Sequence, residues 1–306
     1  MQDLIIIGGG PAAAAAAVYA ARKRLTTLLI TERFAGQSVD SSLIYNWIGT
    51  PEISGPDLAK SLENHVRAYT TDGNTLTIAT GRADSVSKID GGFSVHTADA
   101  TYTAKTILIA TGSRRRKFPV PGADTYEHKG VMYCATCDGP LFSGQDVAVI
   151  GGGNAAFEAV LQLAQYASHV TLLHRSDTFR ADAITIEQVS ALPNVTIKKN
   201  IDFIEVTGDT FVNGIIYNEA GTRIEQPLGG IFVEIGQLPN TELAKDVTSI
   251  DEHGKVIVDP LNQRATTPGI WAAGDCTNGL YHQNNIAAGD AVKAIEDLYV
   301  WIKKNT

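Results

Sequence analysis

The chain has 306 residues, of which 44% are hydrophobic and 19% charged, and its formal net charge is −8. This composition predicts a globular protein of two domains rather than a disordered chain, and the acidic balance argues against a general nucleic-acid binder. Three cysteines are too few for a disulfide framework and favour a reducing compartment, so we expect a cytoplasmic protein.

The first predicted element lies in an uncharged run of 18 residues, Leu4 to Ala21. The run is long enough for a membrane span. However, Gly8-Gly9-Gly10-Pro11 interrupts it, and no basic segment precedes it. We therefore predict neither a signal peptide nor a membrane helix here.

An internal repeat explains the same run. Residues 3–32 align without a gap on residues 146–175, with ten of 30 positions identical. Each copy reads as a short apolar strand, a Gly-Gly-Gly turn, an alanine-rich helix and a second strand. This is the context in which a GxGxxG or GxGxxA pattern indicates a dinucleotide-binding unit.

The two fingerprints have the same three small residues in register. The first allows a tight turn, the second lets the backbone approach a pyrophosphate, and the third permits close packing of the helix on the strand. These positions are Gly8, Gly10 and Ala13 in the first copy, and Gly151, Gly153 and Ala156 in the second.

The last aligned position distinguishes the two copies. The first copy ends in Glu32, which can accept hydrogen bonds from ribose hydroxyls, whereas the second ends in Arg175, which suits a 2′-phosphate. The sequence therefore predicts FAD at the first site and NADPH at the second.

Both copies continue into turn-rich β segments and then into a buried strand that ends in glycine, TILIATG at 106–112 and GIFVEIG at 230–236. The predicted fold class is α/β, with two Rossmann-like dinucleotide-binding domains, each a parallel sheet with helices plus a small antiparallel β segment. We expect residues 1–114 and 241–306 to form the FAD-binding domain and residues 115–240 to form an inserted NADPH-binding domain.

Between the two copies, Cys134 and Cys137 lie in the segment CATCD, directly before Asp138. A zinc site would need about four ligands, and the chain has no second CxxC, so we predict no metal. Two inert buried thiols remain an alternative, because free cysteine packs as a small apolar residue. The third interpretation is a redox pair, favoured by the glycines and proline around the motif. Cys276, which is distant in sequence, is expected to have a structural role.

In combination, these motifs resemble those of the low-molecular-weight thioredoxin reductases and of the related flavoprotein subunit of alkyl hydroperoxide reductase. The matching segments are GGGPAAAAAAVYAAR, Ala35-Gly36-Gln37, Asn46-Trp47, ILIATG, CATCDG, GGGNAAFEA, HRSDTFR and AAGDCTNGLYHQNNIAAGDAV. CATC is closer to the thioredoxin reductases, whereas the last segment is closer to the flavoprotein subunit of alkyl hydroperoxide reductase.

The resemblance implies FAD bound by both ends of the chain, NADPH in the middle domain, a homodimer, and thioredoxin or a thioredoxin-like protein disulfide as partner. It implies that Cys137 receives electrons from the flavin, that Cys134 attacks the partner disulfide, and that Asp138 moves protons. The other FAD-binding positions that it indicates are Pro11, Gln37, Asn46, Ala110, Thr111, Gly112, Asp275 and Gln283. The other NADPH-binding positions are Asn154, His174 and Arg180.

One departure keeps alternatives open. The family motif has a second arginine after His-Arg, where this chain has Ser176, so we expect a weaker preference for NADPH over NADH. An NADH-dependent reductase of a glutaredoxin-like or peroxide-system partner is therefore one alternative. A ferredoxin-linked flavin electron-transfer protein without NADPH turnover is another, although such relatives lack the cysteine pair.

Overall fold

The computed structural model describes residues 1–41, 44, 46–70 and 75–305. The chain forms two compact units, one built from Met1–Arg114 and Leu238–Thr306 and the other from Arg115–Gln237. The second unit ends at Gln237, three residues before the boundary that the sequence predicted after residue 240.

The two units contain strands and helices that we number in chain order. The strands are β1 (Gln2–Ile7), β2 (Thr27–Thr31), β3 (Leu76–Thr80), β4 (Ala83–Ile89), β5 (Gly92–Thr97), β6 (Thr101–Ile109), β7 (Ser113–Arg115), β8 (Val131–Met132), β9 (Asp146–Gly151), β10 (His169–Leu173), β11 (Val195–Lys198), β12 (Asp202–Gly208), β13 (Val212–Glu219), β14 (Thr222–Pro227), β15 (Gly230–Glu234), β16 (Gln237–Pro239) and β17 (Ile270–Ala272). The α-helices are α1 (Pro11–Arg22), α2 (Gly55–Arg67), α3 (Ala135–Asp138), α4 (Asn154–Leu163), α5 (Ala183–Ser190) and α6 (Asn284–Asn305).

The first unit is built on a sheet in which β3, β2, β1 and β6 run parallel in that order. The long strand β6 also pairs in parallel with β17 and antiparallel with β5, which forms a hairpin with β4. Parallel strands need a crossover connection, and α1 supplies the one between β1 and β2. Helix α6 packs its alanine-rich face on α1, where both helices are lined by small buried residues.

The second unit repeats this plan with a parallel sheet in the order β11-β10-β9-β15-β8 and a separate antiparallel sheet β12-β13-β14. The repeat is also present in the strand register, because Leu4 of β1 pairs with Thr27 and Val147 of β9 pairs with Val170. The residues of each pair are 23 positions apart, and the second pair lies 143 positions after the first, which is the offset of the sequence alignment. The predicted α/β fold class, with parallel sheets and small antiparallel segments, is therefore confirmed.

The uncharged run at the start of the chain forms most of β1, the glycine turn and most of α1, and its strand and helix residues are largely buried. Burial in the sheet and against α6 accounts for its hydrophobicity. Among the described residues, no helix has both the length and the apolar character needed to cross a membrane.

Candidate functional site: two nucleotide loops and a cysteine pair

The first glycine loop joins β1 to α1 and is shaped by backbone contacts. Gly8 has φ +134°, and a Cβ there would overlap the carbonyl oxygen of Ala110. A Cβ on Gly9 would overlap the carbonyl oxygen of Arg33. By contrast, a Cβ on Gly10 would meet nothing within 4 Å. Only glycine fits the first two positions, whereas Gly10 leaves its backbone accessible.

Helix α1 begins immediately after this loop without a side-chain cap. Gly10 is its N-cap, Pro11 is its first residue, and no side chain accepts a hydrogen bond from the first amides. The first N–H groups of a helix lack partners inside the helix and carry the positive end of its dipole. The start of α1 therefore has the donor set that a pyrophosphate uses.

A cavity of about 800 Å³ opens beside this loop within the first unit. Most positions expected to bind FAD line it, although they come from widely separated parts of the chain. These lining residues are Gly8, Gly10, Pro11, Glu32, Gln37, Ala110, Thr111, Gly112 and Asp275. Glu32 directly follows β2 at the edge of the sheet, as its proposed contact with ribose requires.

Three expected residues do not line the cavity. Ala13 is fully buried in α1, in keeping with a packing role rather than a ligand contact. Asn46 and Gln283 instead contact each other, with the Asn46 Nδ2 donating to the Gln283 Oε1 at 3.0 Å. This hydrogen bond joins the segment after β2 to the residue directly before α6.

Sequence reasoning missed a group of polar lining residues that follows β16. Asn240 donates from its side chain to the carbonyl of Thr111 at 3.1 Å and from its backbone N–H to that of Gly112 at 3.0 Å. Glu242 pairs with Arg114 at 3.0 Å. In the sequence, only the position of these residues near the predicted second connection between the two domains pointed to them.

At the rim of the same cavity, Asp275 belongs to a short polar chain. Its carboxylate lies 3.6 Å from Nδ1 of His282, whose Nε2 lies 2.9 Å from the Lys255 ammonium. Since an ammonium can only donate, Nε2 of His282 is the acceptor and Nδ1 is free to carry a proton toward Asp275.

The second glycine loop, between β9 and α4, has the same design. A Cβ on Gly151 would crowd the Cβ of Ala156 at 2.6 Å, whereas one on Gly153 would meet nothing within 4 Å. Helix α4 also begins without a side-chain cap, directly after Gly153. The first residue of α4, Asn154, is tied to Asp182 by two hydrogen bonds, of 2.8 and 3.0 Å.

The loop after β10 carries the remaining residues expected at the second site. His174 is buried, its Nε2 lies 3.0 Å from the carbonyl oxygen of Thr178, and a Cβ on Gly152 would overlap its ring. The histidine side chain therefore shapes the loop from inside. Arg175 and Arg180 are exposed, and the Arg180 backbone N–H donates to the carbonyl of Gly152 at 2.7 Å. The loop thus holds both arginines beside the glycine turn.

The two cysteines of the CxxC motif are bonded to each other as a Cys134–Cys137 disulfide, and both are half-buried. Cys134 is the N-cap of the short helix α3, and its Sγ accepts a hydrogen bond from the Cys137 N–H at 3.2 Å. Because the sulfurs are joined to each other, the structure does not support two inert free thiols. Cys276, in contrast, is a free, fully buried cysteine, and burial raises the pKa of its thiol to about 11.

Asp138, next to the disulfide, is buried. Loss of solvation raises the pKa of its carboxyl to about 6, against the opposing effect of the positive charges at His128 and Arg115. Near neutral pH this group can therefore both hold and release a proton. In the same unit, burial also raises the pKa of Glu234, at the end of β15, to about 7.

Comparison with known proteins identifies proteins that this chain is similar to. The chain is 41% identical over 284 residues to an NADH dehydrogenase of Bacillus subtilis (strain 168), covering 92% of this chain and 55% of that protein. It is 44% identical over 276 residues to an alkyl hydroperoxide reductase component of Xanthomonas campestris pv. phaseoli, covering 88% and 51% respectively. The chain thus spans about half the length of the curated relatives that it matches.

A solved structure matches along its full length. The thioredoxin reductase of Streptococcus pyogenes MGAS5005 has 34% sequence identity and a TM-score of 0.89, with 99% of each chain covered. The family model for pyridine nucleotide-disulphide oxidoreductases matches residues 2–291. The resemblance inferred from the motifs is confirmed, and the chain belongs to the pyridine nucleotide-disulphide oxidoreductase family, with a thioredoxin reductase-like fold.

Proposed function

We propose that this chain is a disulfide reductase that passes electrons from NADPH through FAD to the Cys134–Cys137 disulfide, and from there to thioredoxin or a thioredoxin-like protein. The observation that carries the proposal is the disulfide itself, half-buried and directly followed by a buried carboxyl with a pKa of about 6. A pair that exchanges with another disulfide needs one attacking sulfur, one resolving sulfur and a nearby proton carrier.

The cavity of the first unit fits FAD. An uncapped helix start at Gly10 suits the pyrophosphate, and Glu32 at the edge of the sheet suits ribose hydroxyls. A bound flavin supplies hydride acceptance from a reduced nicotinamide and two-electron transfer to a disulfide.

The second unit fits a reduced nicotinamide dinucleotide at its own glycine loop. Gly153 and the uncapped start of α4 match the first loop in form. Arg175 stands at the position of Glu32 in the repeat. The carboxylate of Glu32 would repel a 2′-phosphate in the first unit, whereas the guanidinium of Arg175 can attract one in the second unit. This substitution is the reason for proposing NADPH.

The two sulfurs are proposed to have different tasks. Reducing their disulfide to a dithiol takes two electrons and two protons. The Cys137 amide already donates to the Cys134 sulfur, a contact that favours a thiolate at Cys134 after reduction and makes it the attacking sulfur. Cys134 attacks one sulfur of the partner disulfide and forms a mixed disulfide, which releases the other partner sulfur as a thiolate. Cys137 then attacks the Cys134 sulfur, so that the Cys134–Cys137 disulfide reforms and the partner leaves as a dithiol after protonation. Asp138 holds and releases protons during these steps.

An anaerobic titration tests the proposal. NADPH should bleach the flavin absorbance of the wild-type protein, and oxidised thioredoxin should restore it. In Cys134→Ser and Cys137→Ser proteins, NADPH should still bleach the flavin, but the thioredoxin-dependent recovery should be lost. Recovery at the wild-type rate in both variants would show that the pair does not carry the electrons.

A second candidate is an NADH-dependent reductase of a peroxide-system partner. Two observations favour it, namely Ser176 in place of an arginine and the names of the relatives, which are an NADH dehydrogenase and a component of alkyl hydroperoxide reductase. Measuring kcat/KM for NADH and NADPH, with thioredoxin and with a peroxiredoxin as acceptor, separates the two candidates.

The family resemblance also supports two broader proposals. We propose that the protein is a homodimer, which light scattering of the flavin-loaded protein would show as twice the chain mass. We also propose a cytoplasmic location because only one cysteine lies outside the redox pair and it is a free thiol. Fractionation of the source cells tests this location.

A further inference from the structure

Three cations lie along one edge of the second parallel sheet, and none of them has a carboxylate partner among the described residues. Arg175 and Arg180 belong to the loop after β10, and Lys199 directly follows the neighbouring strand β11. All three side chains are exposed, and none forms an ion pair with any of the described residues. The loop also carries two carboxylates, Asp177 and Asp182, and neither forms an ion pair with any of the described residues.

Backbone hydrogen bonds bring Lys199 next to Ser176, the position that lacks the family's second arginine. Strands β10 and β11 are parallel and pair Leu173 with Lys198. Beyond that pair, the Asn200 N–H donates to the carbonyl of Ser176 at 3.3 Å. Asn200 has φ +56°, a left-handed conformation that asparagine tolerates and that turns the chain at this edge.

An aromatic contact holds the lysine ammonium over the loop. The Nζ of Lys199 lies 4.3 Å from the centroid of the Phe179 ring, within the range of a cation–π interaction. That ring is fixed by edge-on packing with Phe157 at 4.9 Å and by His174 at 5.2 Å. Since Phe179 immediately precedes Arg180, the exposed ammonium lies over the arginine-bearing loop.

The adjacent lysine behaves differently. Lys198 is ion-paired with Glu219 at 2.7 Å, and its Nζ lies 5.4 Å from the ring centroid of Tyr217. Its charge is therefore already neutralised locally. Of these two neighbouring lysines, Lys198 is therefore ion-paired, whereas Lys199 has no ion pair among the described residues.

We propose that Lys199 is a specificity residue that supplies, from the neighbouring strand, the second cation that Ser176 does not. Its ligand is a 2′-phosphate on the adenosine half of a nicotinamide dinucleotide, and the proposal rests on the proposed use of NADPH. Lys199 acts beside Arg175, which can bind the phosphate through two donors, and adds a point charge to it.

The test measures binding rather than turnover. Calorimetric titration of the flavin-loaded protein with adenosine 2′,5′-bisphosphate and with 5′-AMP isolates the contribution of the 2′-phosphate. Lys199→Met keeps an apolar side chain over Phe179 while removing the charge, and Lys199→Arg restores the charge. Lys198→Met is the matched control, one residue away on the same strand edge.

We expect Lys199→Met to weaken bisphosphate binding roughly tenfold, as one charge-assisted contact implies, and to leave AMP binding unchanged. Lys199→Arg and Lys198→Met should stay close to wild type. Equal losses in the two methionine variants, or an equal loss for AMP, would overturn the role of Lys199.

The outcomes separate this inference from the proposed function. If Lys199→Met binds the bisphosphate normally whereas Arg175→Ala does not, the inference fails and the proposed use of NADPH stands. If the wild-type protein binds both nucleotides alike, no 2′-phosphate site exists, and both the role of Lys199 and the choice of NADPH are refuted. In that case the disulfide reductase activity would still be tested with NADH.

Discussion

Replacing Asp138 by asparagine should change the pH dependence of stability in a defined direction. Burial raises the pKa of this carboxyl from an ordinary 3.8 to about 6. Below about pH 3.8 the group is protonated in both the folded and the unfolded chain, and it costs nothing. As the pH rises from about 3.8 to about 6, the unfolded chain has released the proton while the folded chain still holds it, so the wild-type protein loses stability over this window.

The size of the effect follows from the shift. The difference between the two pKa values corresponds to about 3 kcal/mol at 1.36 kcal/mol per unit, and this cost is fully present above about pH 6. The side chain is 8% exposed, so solvent screening reduces this little. Asp138→Asn removes the titration. It should therefore be as stable as wild type near pH 4 and more stable at about pH 8, by roughly 6 to 12 °C in Tm.

Thermal unfolding of both proteins between about pH 4 and 8 at fixed salt measures the difference. Asp146→Asn is the matched control, because Asp146 is an exposed carboxylate in the same unit. A difference in Tm between Asp138→Asn and wild type that stays constant from about pH 4 to 8 would show that the carboxyl is already ionised in the folded protein at the lower end of this range. The assignment of Asp138 as a proton carrier would then lose its physical basis.

Four further outcomes are expected. Arg175→Ala should bring kcat/KM for NADPH and NADH close to parity, mainly through KM, because a charge-assisted contact contributes about 1.5 to 3 kcal/mol; a wild-type preference for NADH would mean that Arg175 does not meet the ribose. Lys129→Glu should raise KM for a protein disulfide and leave reduction of a small aromatic disulfide unchanged, because the exposed Lys129 lies just before β8 and the redox motif; equal effects on both substrates would contradict a docking role. Gly10→Val should fold but lose flavin absorbance, since its Cβ position is open, whereas Gly8→Ala should lower Tm through overlap with the carbonyl of Ala110; flavin retention by Gly10→Val would place the pyrophosphate elsewhere. Cys276→Ser should keep most disulfide reductase activity, and loss of that activity with an unchanged Tm would mean that the redox centre is misassigned.

Part of the site was predictable because it is local in sequence. The glycine loops, the switch from Glu32 to Arg175 and the spacing of Cys134 and Cys137 lie within short segments whose chemistry can be recognised without knowing the fold. The internal repeat strengthened these interpretations, since a pattern that occurs twice in register predicts a common structural unit. The alanine-rich helix α1 also follows from sequence, because only small side chains allow it to pack closely on both β1 and α6.

Other features depended on contacts between distant segments. Asn240 reaches Thr111 across 129 residues of sequence, and Lys199 meets Phe179 only because β10 and β11 end at the same edge of a parallel sheet. No periodicity or spacing in the sequence predicts such contacts.

The sequence by itself therefore determined the class of fold, the two nucleotide loops and the presence of a vicinal cysteine pair. Tertiary structure decided which of these groups are buried, which charges are already paired and which proton affinities are altered. The side chain of His174 is buried against Gly152, and Asp138 owes its raised pKa to desolvation. Burial and pairing are properties of the packed chain, because the loss of solvation and the neighbouring charges that set them come from residues far apart in sequence.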